Sequence, residues 1–319
     1  MWYERLLRWR RAPAPNGFAV GGSFGTNGEE EIDDVFLGRL RRVSLVSQRR
    51  LTSVVTGEHD SPRKASALEF SDYRSYTPGD DFRRVDWNAY LRLDHLLVKM
   101  ADAPERLSLH LLLDGSKSME WGSPDKFAYA RRLAVGLSYV AISHMDSVNL
   151  MLLRGDECIR VSRQESAKAT PALVRAARSL RTEGTTNLDA ALQAFAGESS
   201  RRGVAVLVSD LLSPRGYQAG LARLSHAALR PVVIHLLSPE ELNPTLEGDT
   251  ELEDVETGDT IQVSVDWATK ARYRQWVQGW LHEIEQFCAH RGISYMRVET
   301  SQPVEELLLG RLRREKVLR

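Results

Sequence analysis

The chain has 319 residues, of which 42% are hydrophobic and 27% are charged. With roughly 150 residues per domain as a guide, this length predicts one large domain or two ordinary ones. The 43 Lys and Arg residues equal the 43 Asp and Glu residues in number, so the formal net charge is zero. This equality argues against nucleic-acid binding through a uniformly basic surface, although it leaves a local basic patch open.

Cysteine use and the distribution of apolar residues indicate the compartment. Cys158 and Cys288 are the two cysteines of the sequence, too few for a disulfide framework or a cysteine-rich zinc site. We interpret them as small apolar core residues in a reducing compartment. No apolar run approaches the roughly 20 residues of a membrane-spanning helix, and the N-terminus lacks the apolar region of a signal peptide. We therefore expect a cytoplasmic protein.

Residues 1–28 are predicted to form a flexible N-terminal tail. Residues 12–27 are rich in Gly, Pro and Asn and poor in large aliphatic side chains, a composition typical of linkers. Before them, Trp2, Leu6 and Trp9 are spaced as on one face of a helix, with arginines between them. Such a helix suits weak peripheral contact with a membrane surface or a partner groove. A frayed, arginine-rich terminus also explains the pattern.

Residues 29–105 are predicted to form a smaller segment that packs on the main domain. An apolar pattern at 35–43 follows two aspartates and ends among basic residues, the arrangement that the helix dipole favours. Residues 69–87 mix acids, arginines and aromatics around a Thr-Pro-Gly-Asp-Asp turn at 77–81. This mixture indicates either a structural ion-pair network or a docking surface.

Strand and helix patterns alternate through residues 106–319. Apolar residues recur every three or four positions at 127–141 and 273–287, which predicts helices there. Two strand-like runs around a Thr-Gly-Asp turn predict an inserted β-hairpin at about 243–265. Several predicted strands are almost continuously apolar, as in a sheet covered on both faces. The alternation predicts an α/β fold with a doubly wound, mostly parallel sheet. The predicted strands are 96–100, 107–113, 148–153, 204–208, 231–237 and 294–298.

Polar residues lie at one end of three of the predicted elements. Asp114, Ser116 and Ser118 come directly after the first strand of the alternating part, and their spacing directs three oxygens to one side of an extended chain. The loop Gly-Thr-Thr-Asn-Leu at 184–188 opens a helix, and Asp210 ends another strand. Because such ends meet at one edge of an open α/β sheet, we expect these oxygens to converge. Carboxylates and hydroxyls without His or Cys suit Mg²⁺, or Ca²⁺ and Mn²⁺, rather than zinc.

The motifs DGSKS, GTTNL and VSDLL, in this order and spacing, resemble the metal-ion-dependent adhesion site of the von Willebrand factor A domain. The resemblance implies serine and threonine ligands that bind the ion directly or nearly so, and aspartates that often act through water. A Gly-Gly-Thr pattern is usual there, and Thr185 occupies the place of the second glycine. Thr186 is assigned because Asn187 and Leu188 follow it. The implied ligands are Asp114, Ser116, Ser118, Thr186 and Asp210.

The upstream segments GEHDS and EFSDYRSYTPGDDFRRVDW, followed by DGSKSM, resemble a bacterial, von Willebrand A-like family called domain of unknown function 58. The resemblance covers about residues 32–319. It implies a partnership with MoxR-type AAA+ ATPases in the assembly or activation of other proteins. Many members resemble membrane-anchored chains with hydrophobic N-terminal helices, which this sequence lacks.

These observations favour a non-catalytic, metal-dependent protein-binding module, whose ion accepts a carboxylate from the partner. Lys117, Glu120 and Trp121 lie on the first metal loop and are candidate partner-binding residues. The first alternative is a Mg²⁺-dependent phosphohydrolase, but Ser116 stands where such enzymes commonly carry a second carboxylate. The sequence also lacks a phosphate-binding G-x-x-x-x-G-K-[ST] loop. The second alternative is nucleic-acid binding through the arginines of the first 50 residues. We predict that the chain is not an enzyme.

Overall fold

A computed structural model describes residues 9–11, 32, 35–36, 38–39, 70–78, 80–82, 85–101, 108–143, 147–164, 169–198, 203–227, 229–254 and 258–308. The chain divides into two compact units. The first comprises Met1–Gln48 and Leu107–Arg319, and the second is Arg49–Arg106. This division falls within the predicted segment 29–105, whose packing on the main domain stays a prediction.

The strands are β1 Trp9–Arg11, β2 Phe70–Ser75, β3 Leu97–Ala101, β4 Ser108–Asp114, β5 Ser147–Arg154, β6 Glu157–Gln164, β7 Gly203–Ser209, β8 Leu229–Leu237, β9 Gly248–Asp254, β10 Thr260–Val265 and β11 Ser294–Glu299. The helices are α1 Trp87–Leu93, α2 Lys126–Ser143, α3 Thr170–Ser179, α4 Leu188–Glu198, α5 Gln218–His226, α6 Pro239–Leu242, α7 Trp267–His290 and α8 Val304–Glu306. Within the described ranges, none of these helices is both long and apolar enough to cross a bilayer.

The first unit is built on a six-stranded sheet in the order β11-β8-β7-β4-β5-β6. All neighbouring pairs are parallel except β5 with β6. Every residue of β4 is buried, because apolar clusters cover both faces of the sheet. Helices α2 and α3 pack on one face, and α4, α5 and α7 pack on the other. The predicted α/β fold with a doubly wound, mostly parallel sheet is confirmed.

The predicted hairpin is present as β9 and β10, which pair antiparallel. Trp9–Arg11 adds to its edge as a third antiparallel strand. At these three residues the structure therefore has a paired strand, and neither the amphipathic helix nor the frayed terminus is present there. The rest of the predicted tail lies outside the described residues, so peripheral membrane contact by residues 1–11 stays a prediction.

The segment before residue 48 contributes to the first unit through two apolar side chains. Ile32 and Phe36 are buried in the cluster that includes α2, and the Arg132 guanidinium lies 4.8 Å from the centre of the Phe36 ring. Arg39 pairs with Glu305 at 3.4 Å. The described residues at 35–36 and 38–39 are helical, as predicted, and residues 40–43 lie outside the described part.

The second unit contains the antiparallel pair β2 and β3 and the short helix α1. Asp86 caps α1 by accepting hydrogen bonds from the backbone N–H groups of Asn88 and Ala89. The predicted turn at 77–81 is present, since the Asp80 N–H donates to the Thr77 carbonyl. Helix α1 buries none of its residues, so its apolar side chains face solvent.

Candidate metal site

Backbone hydrogen bonds join the loops that carry the predicted ligands. The Gly115 N–H, directly after β4, donates to the Leu153 carbonyl of β5 at 2.8 Å. A Cβ at Gly115 would lie 2.9 Å from that oxygen, so the close approach requires glycine. The Lys117 N–H donates to the Gly184 carbonyl, and the Glu183 N–H donates to the Gly115 carbonyl. The first and second predicted loops are therefore fixed to each other.

Four predicted ligands form a continuous chain of polar contacts. The Asp114 carboxylate accepts from the Ser116 N–H at 3.0 Å and from the Ser209 hydroxyl at 2.5 Å. The Ser116 and Ser118 hydroxyl oxygens lie 3.0 Å apart, and the Ser118 hydroxyl also hydrogen-bonds the Asp210 carboxylate. All of these side chains are buried. The structure thus brings both predicted aspartates and both predicted serines together.

The two adjacent threonines of the second loop differ in position. Thr186 is buried, and its hydroxyl donates to the Leu153 carbonyl at 3.4 Å. That carbonyl also accepts from the turn after β4, so the Thr186 hydroxyl lies beside the predicted ligands. Thr185 is exposed and contributes its carbonyl to a hydrogen bond from the Gly155 N–H. Of the two, the structure places Thr186 at the interior of the site.

Sequence reasoning missed a buried ion cluster that adjoins these ligands. Lys126, the first residue of α2, has a fully buried ammonium that donates to Asp210 Oδ2 at 2.8 Å and to Glu241 Oε1. Glu241 is fixed in turn, because its other oxygen accepts from the Ser238 N–H at 2.7 Å. Ser238 and Glu241 form a capping box at the start of α6. The Ser-Pro-Glu-Glu spacing of that box was a readable signal, whereas nothing in the sequence around Lys126 marks it as buried.

The charges of this cluster are set by burial and by the contacts between its members. Burial, and then the charge of Asp210, raise the pKa of Asp114. Burial acts in the same direction on Asp210, but the Lys126 ammonium, together with hydrogen bonds from Leu212 and Ser118, lowers the pKa of Asp210. Burial raises the pKa of Glu241 although Lys126 opposes it. Burial lowers the pKa of Lys126, yet Asp210 and then Glu241 raise it above the usual range.

A neutral histidine closes the inner side of the site. His235 Nε2 lies 2.9 Å from the Asp210 carbonyl, and its Nδ1 lies 2.8 Å from the Tyr295 hydroxyl. Since a carbonyl only accepts, Nε2 carries the proton and Nδ1 accepts from the tyrosine. Burial lowers the pKa of His235 to about 4, so the imidazole adds no charge near neutral pH.

The donor set fits a hard divalent ion. Among the described residues, His, Cys, Asp and Glu side chains alone form no group of three or more that could hold a metal, so the hydroxyls of Ser116, Ser118 and Thr186 are required. Oxygen donors without nitrogen or sulfur match Mg²⁺, Ca²⁺ or Mn²⁺. When ionised, three buried carboxylates face one ammonium, which leaves a formal charge of −2. A divalent cation would neutralise this charge.

The predicted partner-binding residues lie on the outer side of the first loop. Lys117 and Glu120 are exposed, and Trp121 is half-buried. The Glu120 carboxylate accepts a hydrogen bond from the Thr182 hydroxyl, which links this surface to the segment before the second loop. The site therefore has a buried polar floor and an exposed charged rim.

Residues 72–279 match the family described as "Protein of unknown function DUF58". An uncharacterized protein of Mycobacterium bovis, Mb1516, is 26% identical over 246 residues, which cover 75% of this chain and 77% of that protein. Among solved structures, BatB from Bacteroides thetaiotaomicron matches with a TM-score of 0.44 and 14% identity over 66% of this chain and all of that one. A von Willebrand factor type A structure from Catenulispora acidiphila matches with a TM-score of 0.32 and 16% identity, over 44% of this chain and 35% of that one.

Proposed function

Because this chain belongs to the family described as Protein of unknown function DUF58, whose description assigns no activity, we propose a function from the geometry of the site. The chain is a protein-interaction module that binds its partner through a divalent ion, with Mg²⁺ the first candidate and Ca²⁺ or Mn²⁺ the others. The ion is held by Asp114, Ser116, Ser118, Thr186 and Asp210.

The observation that carries this proposal is the excess of negative charge in a buried cluster. Unpaired carboxylates are costly to bury, and among the described residues Lys126 is the single ammonium in contact with Asp210 and Glu241. Asp114 receives hydrogen bonds from Ser116 and Ser209 but has no ion pair in the described structure. A divalent ion beside Asp114 supplies the missing positive charge.

The rim supports a protein ligand for the ion. The floor of the site is buried, whereas Lys117 and Thr185 are exposed above it. A carboxylate of a partner protein is a hard oxygen ligand that completes the shell of such an ion. Lys117 offers a second, electrostatic contact to an acidic partner segment. We propose that the partner is a MoxR-type AAA+ ATPase or the client of that ATPase.

The arrangement of acid–base groups in the site favours ion binding over catalysis. No second carboxylate stands two residues after Asp114, where Ser116 lies and contacts Ser118 instead. His235, whose imidazole contacts the Asp210 carbonyl, is fully buried and engaged on both ring nitrogens, so it cannot shuttle protons to an outside substrate. Both cysteines are free, which suits a reducing compartment, and the proposal places the interaction in the cytoplasm.

The test measures ion binding and partner binding on the same variants. Titration calorimetry with Mg²⁺ is expected to show one site in the native chain and none in Asp114→Ala. A purified MoxR-type ATPase is expected to bind in Mg²⁺ and to be released by EDTA. Glu247→Gln is the matched control, since Glu247 is an exposed carboxylate paired with Lys270 outside the site.

Two results would contradict the proposal. Unchanged Mg²⁺ binding in Asp114→Ala would remove these residues from the ion site. Equal binding of the ATPase in excess EDTA would show an interface without the ion. The next surface to test is then the charged segment 69–87, where the Trp87 side chain is 57% exposed.

A further inference from the structure

Lys126 and Glu241 belong to the ion cluster but not to the proposed ligand set, and Lys126 is the positively charged one of the two. Its ammonium has no solvent exposure and lies between the carboxylates of Asp210 and Glu241. A lysine is rarely buried unless it is paired, and here both partners are needed to hold it. The position of this charge, 2.8 Å from a proposed metal ligand, gives it a direct influence on the ion.

The two proposed aspartate ligands differ in the donors that already hydrogen-bond to their carboxylate oxygens. Asp210 Oδ1 accepts from the Leu212 N–H at 3.1 Å, and Oδ2 accepts from the Lys126 ammonium. Asp114 accepts from the Ser116 N–H, the Ser116 hydroxyl and the Ser209 hydroxyl, which are all neutral donors. An ion that draws Asp210 into direct coordination must therefore share Oδ2 with a full positive charge or displace that charge.

The second carboxylate that contacts the Lys126 ammonium, that of Glu241, opposes displacement of the ammonium from Asp210. Glu241, which also holds the ammonium, is fixed through Ser238 at the start of α6. The Tyr273 hydroxyl of α7 donates to the Glu241 carbonyl at 2.7 Å. Because Glu241 is anchored by two elements, the ammonium remains beside Asp210.

From this arrangement, and resting on the proposed ion site, we infer that Lys126 competes with the divalent ion for Asp210 and keeps that carboxylate out of direct coordination. Lys126 is thus a positioning residue. It weakens the binding of the ion and leaves a coordination position for the carboxylate of the partner. The Ser118 hydroxyl, which contacts Asp210, connects the held carboxylate to the ion.

The test removes the ammonium without changing the charge of the cluster. In Lys126→Met/Glu241→Gln, one positive and one negative group are lost together, so Asp114 and Asp210 keep the formal charge at −2. Freed from the ammonium, Asp210 is expected to bind the ion directly, and Mg²⁺ affinity by calorimetry should rise about tenfold. A purely structural role for Lys126 predicts no change or weaker binding, never a gain.

Two further variants are compared with the double variant in this measurement. Lys270→Met/Glu247→Gln removes a surface ion pair of 2.9 Å and should leave Mg²⁺ affinity unchanged. Glu241→Gln alone leaves the ammonium with Asp210 as its remaining carboxylate, and it should weaken Mg²⁺ binding by about threefold to tenfold. The single variant keeps the inference testable if the double variant does not fold.

The outcomes separate this inference from the proposed function. If the native chain binds Mg²⁺ and the double variant binds it no more tightly, the inference is overturned and the ion site stands. If the native chain binds no ion and the double variant does, Lys126 excludes the metal. The competition for Asp210 then holds, whereas the coordination position left for a partner and the metal-dependent function are both overturned. If neither protein binds Mg²⁺, both are overturned.

Discussion

Two halves of the candidate site carry the same residue type at the end of neighbouring strands, but in different electrostatic surroundings. In the half after β4, Asp114 contacts neutral donors from Ser116 and Ser209. In the half after β7, Asp210 forms an ion pair with Lys126. Burial raises the pKa of Asp114, whereas Lys126 lowers the pKa of Asp210. The contact with one ammonium, not the position at the sheet edge, accounts for the difference.

This contrast shows that a ligand motif in the sequence does not describe the charges around its ligands. The motif identifies oxygens that can hold an ion, and it gives no information on the counter-charges that the fold supplies. The half after β4 still requires a cation, while the half after β7 already contains one. We expect substitutions in the two halves to separate ion binding from stability, and the following predictions are arranged from the largest effect to the smallest.

Lys126→Met should give the largest loss of stability. It leaves Asp210 and Glu241 buried without the ammonium, and the removal of one partner from a buried ion pair costs about 3–5 kcal/mol in the free energy of unfolding. Denaturant unfolding followed by circular dichroism measures this loss. Lys270→Met, which breaks an exposed pair with Glu247, should be indistinguishable from the native chain. A comparable stability of the two variants would show that the buried cluster is not a structural element.

Asp114→Asn and Asp210→Asn should affect ion binding and stability in different proportions. Asp114→Asn removes the repulsion between two carboxylates, so stability without metal should stay within about 1 kcal/mol. Its Mg²⁺ affinity should fall at least about tenfold. Asp210→Asn takes a charge partner from Lys126 and should lower the free energy of unfolding by about 1–3 kcal/mol.

Thermal unfolding with and without Mg²⁺ compares these two variants. A ligand that binds the folded state raises the melting temperature, so Mg²⁺ should stabilise the native chain and fail to stabilise Asp114→Asn. If both variants lose the same stability and the same response to Mg²⁺, the two halves are equivalent and the contrast between them is wrong.

The sequence was sufficient to predict the sheet and the polar ends of its strands. The almost continuous apolar runs of β4, β7 and β8 indicate buried parallel strands, because both faces of such strands are covered. Strand β6 was missed: it lies at the edge of the sheet, and its exposed and half-buried residues do not form such a run.

The ion cluster could not be predicted in the same way. Lys126 and Glu241 are separated by 115 positions, and a lysine in a loop followed by a helix is ordinarily exposed. Their contact depends on how α2 and α6 pack at the end of the sheet. Such packing is decided by tertiary structure, which local patterns do not encode. The ligand set therefore came from spacing and resemblance, and its counter-charge came only from the structure.

Gly122→Ala tests the close approach between the loop after β4 and Ser238 at the start of α6. Gly122 has a φ of +103°, and a Cβ there would lie 2.5 Å from the Ser238 Cβ. Because Ser238 caps α6 and fixes Glu241, the clash should disturb the cluster and cost about 1–2 kcal/mol of stability. Gly279→Ala is the control, since a Cβ at that position in α7 has nothing within 4 Å. This second change should stabilise the protein by about 0.5–1 kcal/mol. Equal effects of the two changes would show that the loop tolerates a side chain.

The smallest effect is expected at the second loop, where the choice between two adjacent threonines is open to a direct test. Thr186→Val keeps the shape of the side chain and removes the buried hydroxyl. The Leu153 carbonyl that it contacts still accepts from the Gly115 N–H, so the melting temperature should hardly change. Loss of one neutral oxygen ligand should weaken Mg²⁺ binding by about threefold to tenfold. Thr185→Val, at the exposed neighbour, should leave the affinity unchanged. The reverse result would move the ligand to Thr185 and would mean that the ion lies nearer the rim than the buried oxygens of Asp114 and Ser116 indicate.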